Sequence, residues 1–266
     1  MKRSLRLFVL LASVVVLTGC STVPIVGRKQ VLLVPPAQMI AQSAASYRGV
    51  VAEGPLSTNR QETEQVRRVG QRIAAAVEQY FRDQGQSDQL KGFEWEFNLI
   101  EKDEPNAWCM PGGKVVFYTG ILPYTQDEVG MAVVMGHEVA HAIAGHGAER
   151  VSHQMIQQGG GYLASFFSKE SDYHEAIMQV YGLGTQVGGI LPFSRLHESE
   201  ADRLGLIFMA MAGYDPNAAV GFWQRMAAGN SGAPPEFLST HPSDETRIRK
   251  LRGCLPEAME YYHPEK

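Results

Sequence analysis

Between Gly130 and His146 the chain reads Gly-Met-Ala-Val-Val-Met-Gly-His-Glu-Val-Ala-His-Ala-Ile-Ala-Gly-His, an apolar run interrupted by His137, Glu138 and His141. A helix that is apolar around most of its circumference is buried. Burying two imidazoles and a carboxylate without partners is expensive. Positions 137 and 141 lie one turn apart on the same face, so both rings converge on one point with Glu138 beside it. A metal ion at that point supplies the missing partner. The chain must therefore wrap this helix on nearly every side and bring further ligands to it.

The rest of the chain supplies the wrapping. Residues 36 to 48 are weakly helical and stop before Gly54-Pro55. From Asn59 to Phe81, Val66, Val69, Gly70, Ile73, Val77 and Tyr80 recur at three- and four-residue intervals, opposite Arg67, Arg68, Arg72 and Glu78. That pattern predicts a core-packing helix with a solvated charged face. Phe93, Trp95, Phe97 and Leu99 alternate with Glu94, Glu96 and Asn98, the period of a half-buried strand. Asn106–Met110 and Lys114–Thr119 flank Pro111-Gly112-Gly113 and read as two more strands joined by a tight turn. Thr125-Gln-Asp-Glu128 fits a capping box opening the histidine helix. Residues 159 to 191 are rich in glycine and apolar side chains, predicting filler helices too short to span a bilayer. Asp215-Pro216 starts a helix to about Met226, and a last helix runs from near Ser243 to Leu251. Helices around a small sheet predict an α+β fold.

A catalytic metal site takes three protein ligands and keeps a fourth position open. Within His197-Glu-Ser-Glu-Ala-Asp202, Glu198 and Asp202 are four apart on a side that continues through Leu206, Met209 and Ala210. Carboxylates on an apolar face are anomalous. Glu198 is accordingly the candidate third ligand, and Asp202 the acceptor for the outer nitrogen of a ligand histidine. Glu200 points elsewhere, about 200° around the helix. His146, His153, His174, His197 and His263 read as structural or solvated, His146 being rotated off the ligand face.

A formal charge of −4 excludes the basic surface of a nucleic-acid binder. Lys2, Arg3 and Arg6 precede the apolar run Leu7–Leu17, which ends in Leu17-Thr18-Gly19-Cys20. This resembles a bacterial lipobox, implying removal of residues 1–19 and lipid attachment at Cys20; Ser21 favours the periplasmic face of the outer membrane. Residues 20–35 then form a lipid-anchored tether ending in a short strand or packing arm, and residues 36–266 the main domain. Cys109 and Cys254 either pair, in a compartment where disulfides persist, or stay as buried thiols.

His137-Glu-Val-Ala-His141 followed by Ser194-Arg and Glu198-Ser-Glu-Ala-Asp202 resembles the gluzincin metallopeptidases of the HtpX-like and CAAX-prenyl-protease-like family. Asn106-Ala-Trp-Cys-Met-Pro-Gly-Gly113 and Thr240-His-Pro extend the likeness from about Arg28 to Arg252. The resemblance implies a mostly helical gluzincin-type domain with one zinc ion on His137, His141 and Glu198, and Glu138 as general base. It also implies a small sheet whose edge strand, Asn106, Ala107 and Trp108, lines the cleft. Without spanning helices the chain is similar to a soluble periplasmic lipoprotein branch. His241 is either an oxyanion donor, a plug in the open zinc position, or a surface histidine at a proline turn. The expected function is a zinc endopeptidase acting on unfolded or misfolded periplasmic and outer-membrane proteins. The other readings are a chaperone-like module for outer-membrane assembly with a mainly structural zinc, and a hydrolase of non-peptide substrates.

Overall fold

The computed structural model describes residues 20–157, 174–181, 194–228, 237, 241 and 245–264. In chain order these form β1 (Cys20–Thr22), β2 (Lys29–Val31), α1 (Pro36–Glu53), α2 (Arg60–Asp83), β3 (Glu96–Ile100), β4 (Ala107–Met110) and β5 (Lys114–Tyr118). There follow α3 (Leu122–Thr125), α4 (Glu128–Ala144), α5 (His146–Gln157), α6 (His174–Val180), α7 (Arg195–Met211), α8 (Ala218–Ala228) and α9 (Glu245–Met259). The signal segment 1–19, Thr240, Pro242, Ser243 and the glycine-rich stretch apart from 174–181 lie outside the described residues.

Alternation along the strands divides the interior in two. The sheet has the order β3-β5-β4, with β3 parallel and β4 antiparallel to β5. Phe97, Leu99, Ala107, Cys109, Val115 and Phe117 face a core built with α2, α4, α7 and α8. Trp108, Met110, Val116 and Tyr118 face a second core with Val34, Met39 and Tyr47, and with Val151, Met155 and Ile177. Both faces are covered, so β4 and β5 are buried throughout. The turn after β4 takes Gly112 and Gly113 at φ +89° and +81°, a region only glycine enters freely.

Two expectations change. The strand expected from Phe93 starts at Glu96: the Glu94 amide bonds to the Gly112 carbonyl in the turn (2.9 Å), and the regular ladder begins only with the Glu96 amide on the Gly113 carbonyl (3.0 Å). The capping box at Thr125 is absent: Asp127 caps α4 by accepting from the Gly130 amide at 2.8 Å, while the Thr125 hydroxyl donates to the Leu122 carbonyl within α3. Glu128 turns outward to Arg68. The segment 20–35 docks on the body of the fold, as the short strand or packing arm expected at its end would. β1 and β2 pair antiparallel, Val23 and Val34 are fully buried, and the Gln30 amide donates to the Ala144 carbonyl at the C-terminal end of α4 (2.9 Å).

The approach of α4 to α7 sets the position of the site. A Cβ on Gly136 would lie 2.7 Å from the Gly205 carbonyl oxygen, and one on Gly205 would lie 2.8 Å from the His137 amide nitrogen. Only two glycines allow backbones this close. Cys109 and Cys254 are free thiols. No described helix is long and apolar enough to cross a membrane.

Candidate metal centre

Backbone contact at the glycine pair puts the following turn of α4 against the first turn of α7. His137, His141, Glu198 and His241 each present one ligand atom, all within 4.8 Å of one another and all buried. His137 Nε2 is 3.1 Å from both His141 Nε2 and His241 Nδ1. Glu198 Oε1 is 3.4 Å from His141 Nε2 and 3.0 Å from His241 Nδ1, and Glu198 Oε2 is 3.5 Å from His137 Nε2. Donors tetrahedrally placed around zinc lie roughly 3.3–3.5 Å apart. His137 directs Nδ1 at Asp202 Oδ1 (3.1 Å), which makes its Nε2 a lone pair facing the other donors. Converging lone pairs require a cation, and two histidines with a carboxylate are a zinc set. The residues present fit the ion.

The electrostatics favour ligands over spectators. Burial pushes His141 far below its ordinary value, leaving a neutral imidazole able to coordinate. Burial also lowers His137, but hydrogen bonds from its ring to Asp202 and Glu198 outweigh it and hold the ring up at about 9. A proton and a metal therefore compete for that nitrogen. Burial raises Glu198, yet the neighbouring charges of His241 and Arg247 prevail and keep it well below the usual carboxylate range. Glu138 moves the other way, its carboxyl raised by burial. Its Oε1 is buried without a hydrogen-bond partner among the described residues and lies 3.5 Å from His241 Nε2.

The expected residues thus assemble: His137, His141 and Glu198 at mutual contact, Asp202 against the outer nitrogen of His137, Glu138 on the helix of the two histidines, and His241 inside the cluster rather than on the surface. β4 is the edge of the sheet and packs on α4. Ala107 and Trp108 belong to it, whereas Asn106 precedes it and covers the Ala107 amide with Oδ1 at 2.9 Å. Cys109 in β4 is pushed up by burial and further by the charge of Glu138.

Sequence reasoning missed Arg247. Its guanidinium bonds Asp202 at 2.7 and 2.8 Å, lies 2.9 Å from Glu198 Oε2, donates to the His241 carbonyl at 3.1 Å and stacks over Trp223 at 3.4 Å. It stands among Arg249, Lys250 and Arg252, so nothing local marks it. His146 is no ligand, but it is not solvated either: it is fully buried with Nδ1 2.9 Å from His141 Nδ1 and Nε2 3.0 Å from Glu200 Oε2. Burial lowers it to about 4. A histidine closing an apolar run was the available signal. His197 stacks on His146 at 4.4 Å and bonds Glu149 at 2.9 Å, while His153 and His263 are exposed. The His174 side chain lies outside the described residues.

Comparison with known proteins gives a match to peptidase family M48 over residues 60–255. The mitochondrial metalloendopeptidase OMA1 of Schizosaccharomyces pombe is 41% identical over 172 residues, 64% of this chain and 49% of that one. The human mitochondrial metalloendopeptidase OMA1 is 32% identical over 179 residues, 62% of this chain and 33% of its own. The beta-barrel assembly-enhancing protease of Escherichia coli is 32% identical over 164 residues, 59% and 34% respectively. The matched stretch covers about half or less of each of these relatives.

Proposed function

We propose, from the premise that this chain belongs to peptidase family M48, that it is a zinc metalloendopeptidase cleaving unfolded or misfolded proteins in the periplasm while anchored to the outer membrane through a lipid on Cys20. The observation that carries the catalytic part is the buried Glu138 Oε1, without a hydrogen-bond partner among the described residues, beside the His137, His141 and Glu198 donors. The lipobox-like Leu17-Thr18-Gly19-Cys20 supports the anchor and the compartment, with residues 1–19 removed. The Escherichia coli relative, a protease named for barrel assembly, supports outer-membrane proteins as the substrate setting and the assembly machinery as a neighbour.

His137, His141 and Glu198 hold the zinc, which when bound supplies Lewis acidity toward water and a peptide carbonyl. Glu138 takes the proton of the attacking water and returns it to the leaving amine, a task for which a carboxyl raised by burial is suited. Asp202 and Arg247 hold the His137 ring and the Glu198 carboxylate in place. An extended peptide adds along the edge of β4, its backbone replacing the Asn106 side chain over the Ala107 amide, with Trp108 fixed from behind. Backbone pairing reads little sequence, which suits unfolded chains.

One observation favours a second reading. His241 Nδ1 completes a four-donor set, and closed coordination is the mark of a structural zinc. Within the peptidase reading this is a resting form in which His241 plugs the position that substrate needs. Comparing wild type with Glu138→Gln on casein, with zinc quantified in each, separates the two. Zinc in both with cleavage by wild type alone, and a loss of at least about 100-fold in the variant, supports the peptidase. Zinc in both with no cleavage by either leaves the binding module.

A further inference from the structure

His141 turns Nε2 to the donor cluster, so as a ligand it carries its ring proton on Nδ1. That proton points at Nδ1 of His146, 2.9 Å away. By accepting there, His146 keeps its own proton on Nε2, 3.0 Å from Glu200 Oε2. The other oxygen of Glu200 accepts from Arg28 Nε at 2.5 Å. Every hydrogen in this chain has one direction, ending on Glu200 from both sides. His146 is fully buried and Glu200 5% exposed, which leaves bulk water little part in it.

We propose that Arg28, carried by the arm between β1 and β2, is a positioning residue for the metal centre: by holding Glu200 it sets the tautomer and orientation of His146 and, through His146, those of His141. The inference rests on the reading of His141 as a zinc ligand. Partners that orient a ligand imidazole through its outer nitrogen are worth about 10–100-fold in metal affinity. What is unusual here is where the last partner comes from. Peptides of α4, α5 and α7 carry His141, His146 and Glu200, but the cation that fixes Glu200 arrives on the N-terminal arm, outside the 60–255 stretch that the family match spans.

The arm also contains its own control. Arg28 donates to Glu149 through Nη1 and Nη2 at 2.9 and 2.7 Å. Glu149 bonds His197, and His197 meets His146 by ring stacking. This second branch clamps the arm to α5 and meets the row of bonds from Arg28 through Glu200 to His141 only at the stacked face of His146, adding no hydrogen bond to it.

The test uses the full chain and three variants, Arg28→Gln, Glu200→Gln and Glu149→Gln. Zinc affinity is measured by competition with a chromophoric chelator at fixed pH, and the visible absorption of the cobalt-substituted protein reports ligand geometry. Arg28→Gln and Glu200→Gln are expected to weaken zinc binding about tenfold and to shift the cobalt bands in the same sense. Glu149→Gln is expected to lower thermal stability while leaving affinity within about twofold and the cobalt spectrum unchanged. Wild-type affinity and spectrum in Arg28→Gln or in Glu200→Gln would overturn the proposal, and so would an equal loss in all three variants, which would make the arm a simple clamp. Should Arg28→Gln not fold, Glu200→Gln against Glu149→Gln decides alone. Neither readout needs turnover, so a failure of the peptidase reading shows separately, as casein left uncut by wild type that binds zinc normally.

Discussion

Glu138 and His241 stand 3.5 Å apart, one beside the donor cluster and one within it, and their substitutions should act in opposite senses. As a plug, His241 withholds the fourth zinc position, so His241→Ala should raise casein cleavage, by roughly tenfold where the open form is a tenth of the population. It should also speed zinc removal by a chelator. A fall in kcat with zinc retained would instead assign His241 to the oxyanion. Arg247 matters through what it leaves behind. With it removed, Asp202 and Glu198 face each other's charge in a buried site, and Arg247→Ala should cost about 3–5 kcal/mol in urea unfolding. Unchanged stability would show that water replaces the guanidinium. His137, Glu138 and His141 were legible because a helix brings i and i+4 together without help from the rest of the chain. Glu198 and Asp202 were legible as a polar anomaly on an apolar face. Arg247 reaches Asp202 across 45 positions and His146 reaches Glu200 across 54, contacts that tertiary structure makes and that no local spacing announces.

At the level of elements, α4 is held at both ends by side chains that a local reading misassigned or could not see. Asp127 satisfies the Gly130 amide, so Asp127→Ala should cost about 1 kcal/mol in denaturant unfolding, whereas Thr125→Ala should cost less than its expected role in a capping box would imply. Equal losses in the two variants would restore the capping box. The candidates are two positions apart, and the short α3, with Pro123 in its first turn and Thr125 as its last residue, takes Thr125 out of play. The α2 pattern was readable from its spacing alone, since Val66, Val69, Gly70, Ile73 and Val77, which recur at helical intervals, are all among its buried residues. The strands were readable as strands but not in their order. The parallel pairing of β3 with β5 is a tertiary choice, made because both faces of the sheet find a core.

Across the whole molecule, the arm ties the two ends of the chemistry together through charge, and that tie has a pH dependence. Burial raises Glu149, but its bonds to His197 and Arg28 win and bring it down to about 2. A carboxyl whose folded value is depressed stabilises the fold above its ordinary range near 4.5 and loses that contribution as pH falls toward about 2. Limited proteolysis in acid should therefore cut the 20–34 segment before the helices that carry the ligands, and Glu149→Gln should flatten the dependence between those limits. Release of the arm at a pH independent of Glu149 would place the sensitivity elsewhere. The pairing register gives the same arm a mechanical character. Cys20 lies opposite Val31 and Thr22 opposite Lys29, so both strand ends that bear load lie at one end of the ladder. A pull on residue 20 peels these pairs one after another, like a zipper, and meets Arg28 last. Tension from an attachment at that residue would be spent on the ladder before it reached the guanidinium that grips Glu200.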